Sequence, residues 1–214
     1  MMNTAMLSSS LRTQFGEIDI YLFDQIARVR FDQCRSVLDA GCGDGRNLRY
    51  LLSQGVRCYG IDRDGVAITQ MRALAATVAP EQSSGQFVIG ELEHLPWEDE
   101  SMDAVICSAV LHFARDAEQC LAQITEMWRV LAPGGVFFAR LASTIGLEPL
   151  RGVPAGRRVA LPDGSERFVV DEALLLAWTA RLGGALLEPI KTTNVQETRA
   201  MTTWCLQKPD AARA

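Results

Sequence analysis

Short apolar runs alternate with stretches of helical periodicity along most of this 214-residue chain, and glycine, proline and aspartate separate them. This alternation is typical of βαβ units, in which helices cover a mostly parallel sheet. Pro133-Gly134-Gly135 is predicted as a tight turn into the fifth strand. The five runs predicted as successive strands are Ser36–Ala40, Val56–Asp62, Gln86–Gly90, Ala104–Ser108 and Val136–Leu141.

Helical periodicity fills the intervals between these runs. Asp64 and Asp116 precede two helical stretches, where their carboxylates are placed to cap a helix N-terminus. The predicted helices span Arg46–Ser53, Asp64–Ala75, Ala117–Val130 and Asp171–Leu182, and a closing antiparallel pair spans Leu186–Thr192 and Thr202–Gln207. The predicted fold class is therefore α/β: a doubly wound, seven-stranded, mostly parallel sheet with an antiparallel last strand, in a single domain.

Five segments are predicted along this domain. Residues 142–167 show no period but carry several glycines, prolines and arginines, and so long a loop is usually functional or mobile. The aromatic and acidic stretch Phe15–Asp24 is either a helix closing over a ligand through Asp19 or Tyr21, or a helix packed on the sheet edge. The segments are an N-terminal helical cap (1–35), a core (36–141), an irregular substrate-side segment (142–170), a C-terminal helix and strand pair (171–208) and a tail (209–214).

Net charge and composition limit the classes of molecule that this chain is expected to bind. The net charge of −5 and the pI near 5.1 argue against a dedicated nucleic-acid binder and favour a small-molecule substrate. No apolar run approaches the roughly 20 residues that span a bilayer, and the chain start does not resemble a secretory signal. With six cysteines, no Cys-x-x-Cys pair and two histidines, a metal site has little support. We expect a cytoplasmic monomer or homodimer without membrane or nucleic-acid partners.

The turn after the first strand, Asp39–Gly45, reads DAGCGDG. Its glycines stand at 41, 43 and 45, whereas the dinucleotide fingerprint requires a third glycine at position 46, which is Arg46. Asp39 and Asp44 would repel a pyrophosphate. S-adenosylmethionine carries no phosphate, and its sulfonium and ammonium groups are attracted by acids. The turn therefore favours that cofactor over NAD.

Asp62 ends the second predicted strand, 21 residues after Gly41. An acid at this position can accept hydrogen bonds from both ribose hydroxyls of a nucleoside. This feature alone does not separate NAD from S-adenosylmethionine. Together with the glycine spacing and the acids of the turn, it favours S-adenosylmethionine.

Five motifs follow one another in order: Asp39–Gly45, Gly60–Asp62, Gly90–Trp97, Asp103–Val105 and Arg129–Gly135. Together they resemble the class I S-adenosylmethionine-dependent methyltransferases, specifically the small-molecule group often called methyltransferase type 11. The resemblance covers Ser36 to Leu141 and implies a Rossmann-like methyltransferase fold with S-adenosylmethionine as cofactor. It leaves the methyl acceptor open.

The resemblance also implies roles for individual residues. Asp39, Gly41 and Gly43 would line the methionine part of the cofactor, Asp62 would hold the ribose, and Arg63 would flank the adenine. Glu91, where aspartate is commoner, would accept the adenine amino group, and Leu92 would supply a backbone group. Asn47 and Arg46 would reach the cofactor carboxylate, and Ser108 and Ala109 would face the methyl group. The implied cofactor-binding residues are Asp39, Ala40, Gly41, Cys42, Gly43, Asn47, Asp62, Arg63, Glu91, Leu92 and Ser108.

His112 is the one candidate catalytic residue, since an unperturbed imidazole titrates near neutrality and can act as a general base. The alternative is a structural histidine bonded to loop backbone. Arg140, with Arg151, Arg157 or Arg158, would meet an anionic substrate, or these arginines are solvated surface residues. The predicted function is methyl transfer from S-adenosylmethionine to a small molecule by in-line displacement; the alternatives are an NAD-dependent oxidoreductase and a catalytically silent S-adenosylmethionine-binding protein.

Overall fold

A computed structural model describes residues 4–147, 154, 156–161 and 164–210. The chain divides into two units, one ending at Glu91 and the other beginning at Leu92. None of the helices in the described ranges has the length and apolar character needed to cross a membrane.

The first unit is built on three parallel strands in the order β3-β2-β1. Because the strands are parallel, their carboxyl ends meet at one edge, which brings the turn after β1 beside the end of β2. The elements in chain order are α1 (Thr4–Phe15), α2 (Ile20–Ala27), β1 (Ser36–Ala40), α3 (Arg49–Ser53), β2 (Arg57–Asp62), α4 (Gly65–Val78) and β3 (Phe87–Ile89).

Helix α4 begins as the sequence predicts. The Asp64 carboxylate accepts a 2.8 Å hydrogen bond from the Val66 N–H, which satisfies one donor of the first turn. Arg72, about two turns further along the helix, donates to the Phe87 carbonyl and ties α4 to β3. Ile68 and Met71 are fully buried on the inner face of this helix.

The N-terminal stretch forms two helices rather than one. Gly16 has φ +60°, a left-handed value that interrupts the chain between α1 and α2. Asp19 then caps α2 by accepting a 2.9 Å hydrogen bond from the Tyr21 N–H. Phe15 packs edge-on against Phe23, with ring centroids 4.9 Å apart, and so holds the two helices together.

The second unit opens with parallel strands and ends with antiparallel ones. Strand β4 pairs in parallel with β5, and β10 runs antiparallel to β5. The short strands β8 and β9 both pair antiparallel with β10. The elements are β4 (Met102–Ser108), α5 (Ala117–Val130), β5 (Leu131–Ser143), β6 (Arg158–Ala160), β7 (Glu166–Phe168), α6 (Glu172–Leu182), β8 (Ala185–Leu186), β9 (Lys191–Val195) and β10 (Arg199–Gln207).

The buried Trp204 joins two elements of this unit. The fully buried indole of Trp204 donates a 3.0 Å hydrogen bond to Oγ1 of Thr179, so α6 is fixed against β10. Asp116 caps α5 as predicted, accepting from the Gln119 N–H at 2.8 Å. Cys107 is fully buried and behaves as a small apolar residue.

The α/β class, with parallel strands first and antiparallel strands last, is confirmed. The predicted turn at Pro133–Gly135 lies where the pairing of β5 with β4 is interrupted between Leu131 and Val136, and Gly134 has φ +77° there. Three local expectations are wrong. Helix α3 begins at Arg49 rather than Arg46, and the predicted strand Leu186–Thr192 is divided into β8 and β9. The segment 142–167 contains the antiparallel ribbon β6–β7 where no period was found, because three-residue strands are too short to show alternation. Arg151 lies outside the described residues.

Candidate cofactor and acceptor site

The glycine turn adopts the conformation that its spacing predicts. Gly41, Gly43 and Gly45 have φ values of +83°, +54° and +89°, a region that side chains disfavour. A Cβ on Gly45 would lie 2.2 Å from Sδ of Met71, so this glycine lets the turn pack on α4. A Cβ on Gly43 would meet nothing within 4 Å, so the turn is open on that side.

Backbone donors of this turn are already used inside the protein. The N–H groups of Gly41 and Cys42 donate to the Ile61 carbonyl at 2.8 and 3.0 Å, and the Gly45 N–H donates to the Cys42 carbonyl at 3.0 Å. The Gly43 N–H donates to Oδ2 of Asp62 at 2.9 Å. A phosphate-binding loop presents its N–H groups to the ligand. These four donors point to protein acceptors instead.

Asp39 is the least satisfied group of the turn. It is fully buried, and neither carboxylate oxygen accepts a hydrogen bond from any residue that the structure describes. Burial raises the pKa of Asp39 to about 8, against the smaller lowering effects of Arg46 and Asn47. An orphaned buried carboxylate is costly unless it is protonated or meets a cation, so this position suits a cationic ligand group.

Two further acids act on the same position. Asp62 and Asp19 both raise the pKa of Asp39 by charge repulsion. Asp19 is held there because its backbone N–H donates a 3.1 Å hydrogen bond to Oδ1 of the buried Asn47. Asn47 lies in the turn ahead of α3 rather than in the helix. The carboxylates of Asp62 and Asp19 therefore place negative charge around the buried Asp39.

Asp62 is fixed in orientation at the end of β2. Its Oδ2 accepts from the Gly43 N–H, and its Oδ1 accepts from the Asp64 N–H, both at 2.9 Å. A carboxylate oxygen can accept more than one hydrogen bond. Both oxygens of Asp62 therefore retain capacity for the paired hydroxyls of a ribose.

The remaining candidates of the first unit differ in exposure. Ala40 and Cys42 are buried, and burial raises the pKa of the Cys42 thiol, which makes it a packing residue beneath Gly60. Arg63 and Glu91 are exposed to solvent. The sequence reasoning missed Ile89, an apolar side chain 61% exposed at the end of β3. The apolar run that contains Ile89 indicates a strand, but it does not indicate which of its side chains remains exposed to solvent.

Leu92, Ser108 and His112 belong to the second unit. Leu92 and Ser108 are buried, with Ser108 at the carboxyl end of β4. Ala109 follows with φ +63°, and its N–H donates to the Arg140 carbonyl at 2.7 Å. The left-handed backbone of Ala109 turns the chain out of β4 toward the 3₁₀ turn Leu111–Phe113, which carries His112.

His112 is buried, and its Nδ1 has no hydrogen-bond partner among the described residues. Burial lowers the pKa of His112 to about 4, and the nearby guanidinium groups of Arg167 and Arg140 lower it further. The imidazole is therefore neutral at pH 7. Phe113 beside it has 51% of its surface exposed, and the Arg167 guanidinium carbon lies 4.9 Å from the centre of its ring.

Residues 38–139 match a family model described as a methyltransferase domain. The chain is 32% identical over 120 residues to a probable S-adenosylmethionine-dependent methyltransferase of Mycolicibacterium smegmatis, covering 56% of this chain and 43% of that protein. It is 30% identical to a tRNA U34 carboxymethyltransferase of Idiomarina loihiensis, covering 79% of this chain and 52% of the relative. It is 27% identical to a malonyl-[acyl-carrier protein] O-methyltransferase of Salmonella typhimurium, covering 80% and 59%. The chain spans about half the length of these relatives.

Solved structures share the fold at low identity. The PH0226 protein of Pyrococcus horikoshii OT3 superposes with a TM-score of 0.69 at 19% identity, covering 96% of this chain and 92% of that one. The magnesium protoporphyrin IX methyltransferase of Synechocystis PCC 6803, solved with bound S-adenosylhomocysteine, gives a TM-score of 0.67 at 18% identity, covering 97% and 89%. Residues 38–139 of this chain are therefore a methyltransferase domain, similar to those of S-adenosylmethionine-dependent methyltransferases.

Proposed function

We propose that this chain transfers the methyl group of S-adenosylmethionine to a small-molecule acceptor. The observation that carries the proposal is the orphaned, fully buried carboxylate of Asp39 beside the open face of Gly43. A buried acid there gains a partner from a positively charged ligand and gains none from a phosphate.

The residues of the first unit fit the cofactor. Asp39 and Asn47 would hold the charged ends of its methionine part, with Arg46 near the carboxylate. Asp62 would accept the ribose hydroxyls through the oxygens that Gly43 and Asp64 already orient. Arg63, Glu91 and the exposed Ile89 would border the adenine, Ile89 through apolar contact. When bound, S-adenosylmethionine supplies a methyl group activated by its sulfonium.

The same turn disfavours NAD. A pyrophosphate requires free N–H donors and no nearby acid, whereas the N–H groups of residues 41, 42, 43 and 45 donate within the protein. Asp44 stands exposed in the turn and adds a further negative charge. The oxidoreductase alternative thus loses both of the interactions on which dinucleotide binding depends.

The second unit would serve the acceptor. Leu92 and Ser108 keep the cofactor-facing roles that the family resemblance gives them. His112 remains the candidate general base: its imidazole is neutral at pH 7 and able to take a proton, but a pKa of about 4 makes it a weak base. Positioning alone supplies much of the acceleration in an in-line transfer, so methyl transfer does not depend on a strong base.

A small acceptor is favoured by the acidic composition, with a net charge of −5. The relatives are named for different acceptors, a tRNA in one case and a malonylated carrier protein in another. Those names describe the relatives. The proposal for this chain rests on its own charge, which opposes close approach to a phosphate backbone.

Calorimetric titration with S-adenosylhomocysteine and, separately, with NAD tests the cofactor assignment. We expect binding of S-adenosylhomocysteine alone, weakened in Asp62→Ala. The protein is then incubated with S-adenosylmethionine and a panel of small metabolites, and formation of S-adenosylhomocysteine measures the activity. Binding of NAD instead would overturn the proposal, and tight cofactor binding with no turnover on any acceptor would favour the catalytically silent alternative.

A further inference from the structure

The stretch ahead of β4 is irregular: residues 92–101, the first part of the second unit, contain no helix or strand. Backbone groups of such a segment have no ladder or helical partner, so side chains or ligands must satisfy those that are buried. Leu92, its first residue, is buried, and its N–H donates no hydrogen bond to any residue that the structure describes. A buried N–H without a partner is rare, and it suits a position at which a ligand supplies the acceptor.

Helix α5 holds this segment from one face. Gln119, Glu126 and Arg129 lie on that face, because side chains three or seven positions apart point to the same side of a helix. Nε2 of Gln119 donates a 2.6 Å hydrogen bond to Oε1 of Glu93, the second residue of the segment. Oε2 of Glu126 accepts a 3.1 Å hydrogen bond from the Leu95 N–H. The helix therefore fixes both a side chain and a backbone group in the first half of the segment.

The guanidinium of Arg129 joins alternate residues of the segment. Nη1 donates to the Trp97 carbonyl at 2.9 Å and to Oδ1 of Asp99 at 2.7 Å. Nη2 donates to the Leu95 carbonyl at 3.0 Å. Nε and Nη2 also donate to the carboxylate of Glu126, at 2.9 and 2.8 Å. A guanidinium carries five N–H groups, so every donor of this side chain has an acceptor.

These contacts fix the path of the backbone through the segment. Two of the acceptors are backbone carbonyls, so the guanidinium replaces the ladder partners that an irregular stretch lacks. Hydrogen bonding from Arg129 lowers the pKa of Glu126, so the charged pair persists at neutral pH. Lysine offers three donors on one nitrogen and cannot reach separate acceptors as the planar fork of arginine does. The arrangement therefore requires arginine at this position.

We propose that Arg129 is a positioning residue for cofactor binding, which holds the segment 92–101 so that the Leu92 N–H meets the base of S-adenosylmethionine. The N–H of Leu92 is the donor, and a ring nitrogen of the adenine is the acceptor. Gln119 acts with Arg129, because it fixes Glu93 next to Leu92. Arg129 acts through the segment and not on the cofactor, since all of its donors are used inside the protein. This role rests on the proposed function, because the base belongs to the same cofactor.

Two ligands that differ only in the base test this role: S-adenosylhomocysteine and S-inosylhomocysteine. The hypoxanthine of the second carries a ring N–H and a carbonyl where adenine has a ring acceptor and an amino group, so it cannot accept the Leu92 hydrogen bond there. Calorimetric titration of the full chain gives both dissociation constants. We expect the wild type to prefer S-adenosylhomocysteine. Arg129→Gln should reduce that preference roughly tenfold, about the effect of one lost hydrogen bond, and change the binding of S-inosylhomocysteine little.

Further variants separate positioning from a general loss of stability. Arg129→Lys keeps the charge and loses the fork, so its preference should fall between those of the wild type and Arg129→Gln. Gln119→Leu removes the link to Glu93 and should reduce the preference by a smaller factor, which decides the matter if Arg129→Gln does not fold. Thr179→Val is the matched control, because it removes the acceptor of the Trp204 indole in the same unit. It should lower the melting temperature and leave the preference unchanged.

A preference that stays at the wild-type value in Arg129→Gln or, where that variant does not fold, in Gln119→Leu would overturn the positioning role. An equal fall of the preference in Thr179→Val would overturn it as well, because the effect would then follow stability alone. If the wild type binds both ligands equally, the segment does not read the base; the positioning role is wrong and the proposed methyltransferase function stands. If S-adenosylhomocysteine does not bind at all, the proposed function itself fails.

Discussion

The Gly43 N–H donates a 2.9 Å hydrogen bond to Oδ2 of Asp62, so the turn after β1 and the end of β2 form one hydrogen-bonded unit. This bond orients the Asp62 carboxylate and removes a donor that a phosphate would need. One contact therefore both presents an acceptor to a ribose and disfavours a pyrophosphate.

Asp62→Ala should weaken binding of S-adenosylhomocysteine roughly tenfold to a hundredfold, because charge-assisted hydrogen bonds contribute about 1.5–3 kcal/mol. Calorimetric titration measures the change. Asp64→Ala is the matched control: it removes the cap of α4, costs about 1 kcal/mol of stability and leaves the affinity unchanged. Equal losses of affinity in the two variants would contradict the assigned role of Asp62.

Asp39 should make the ligand-free protein less stable as the pH rises. Its pKa is raised from 3.8 to about 8 by burial, so between these values the folded state binds a proton that the unfolded state has released. The free energy of unfolding then falls with rising pH, by at most about 1.4 kcal/mol per pH unit. Asp39→Asn should remove this contribution. Urea unfolding of both proteins at pH 5 to 8 checks it, and parallel pH curves would refute it.

The affinity for S-adenosylhomocysteine should rise over the same interval. The ligand's ammonium group prefers an ionised Asp39, and ionisation becomes easier as the pH approaches the pKa of about 8. The dissociation constant is expected to fall by up to about tenfold per pH unit between pH 6 and 8. Titrations across this range measure it. A dissociation constant that stays flat would show that Asp39 does not face the ammonium.

Two glycines of one turn should respond differently to alanine. Gly45→Ala places a Cβ 2.2 Å from Sδ of Met71 at φ +89°, so we expect a loss of about 2–4 kcal/mol in stability. In Gly43→Ala the added Cβ meets open space, so we expect a loss of only about 1 kcal/mol in stability, caused by the left-handed backbone. This variant should instead weaken cofactor binding, because the methyl group fills the open side of the turn. Chemical unfolding and calorimetry together distinguish these outcomes; similar stabilities would argue against the packing role of Gly45.

His112 should titrate far below its usual range, with a pKa of about 4. Arg167→Gln should raise that pKa, because removing a nearby cation favours the imidazolium, while burial keeps it below 6.5. The NMR titration of the two imidazole signals follows both histidines at once. An unchanged pKa of His112 in Arg167→Gln would place the guanidinium too far away to act on it.

Features set by neighbouring residues could be predicted from the sequence. The caps of Asp64 and Asp116 depend on contacts within three residues, and the turn of Gly41–Gly45 depends on its own glycine spacing. The placement of Asp62 beside that turn followed from the rule that parallel strands end at one edge. These local rules located the candidate cofactor site.

Contacts between distant residues could not be predicted. Asp19 meets Asn47 across 28 residues of sequence, and Arg158 reaches the Ala114 carbonyl across 44. The ribbon β6–β7 is stabilised by packing on Ala142, not by a periodic pattern of its own. Such contacts depend on how elements pack, and one sequence carries no signal for which polar side chains then meet.

The hydrogen bond from the Asp19 N–H to Asn47 has a consequence for the chain's beginning. It connects Asp19, the N-cap residue of α2, to the segment around Asn47 that would bind the methionine part of the cofactor. Ligand binding at that segment and ordering of the N-terminal helices are then thermodynamically coupled, so each stabilises the other. Protease cleavage and amide exchange ahead of Ile20 would slow as the ligand fills, which makes the N-terminal helices a reporter of occupancy.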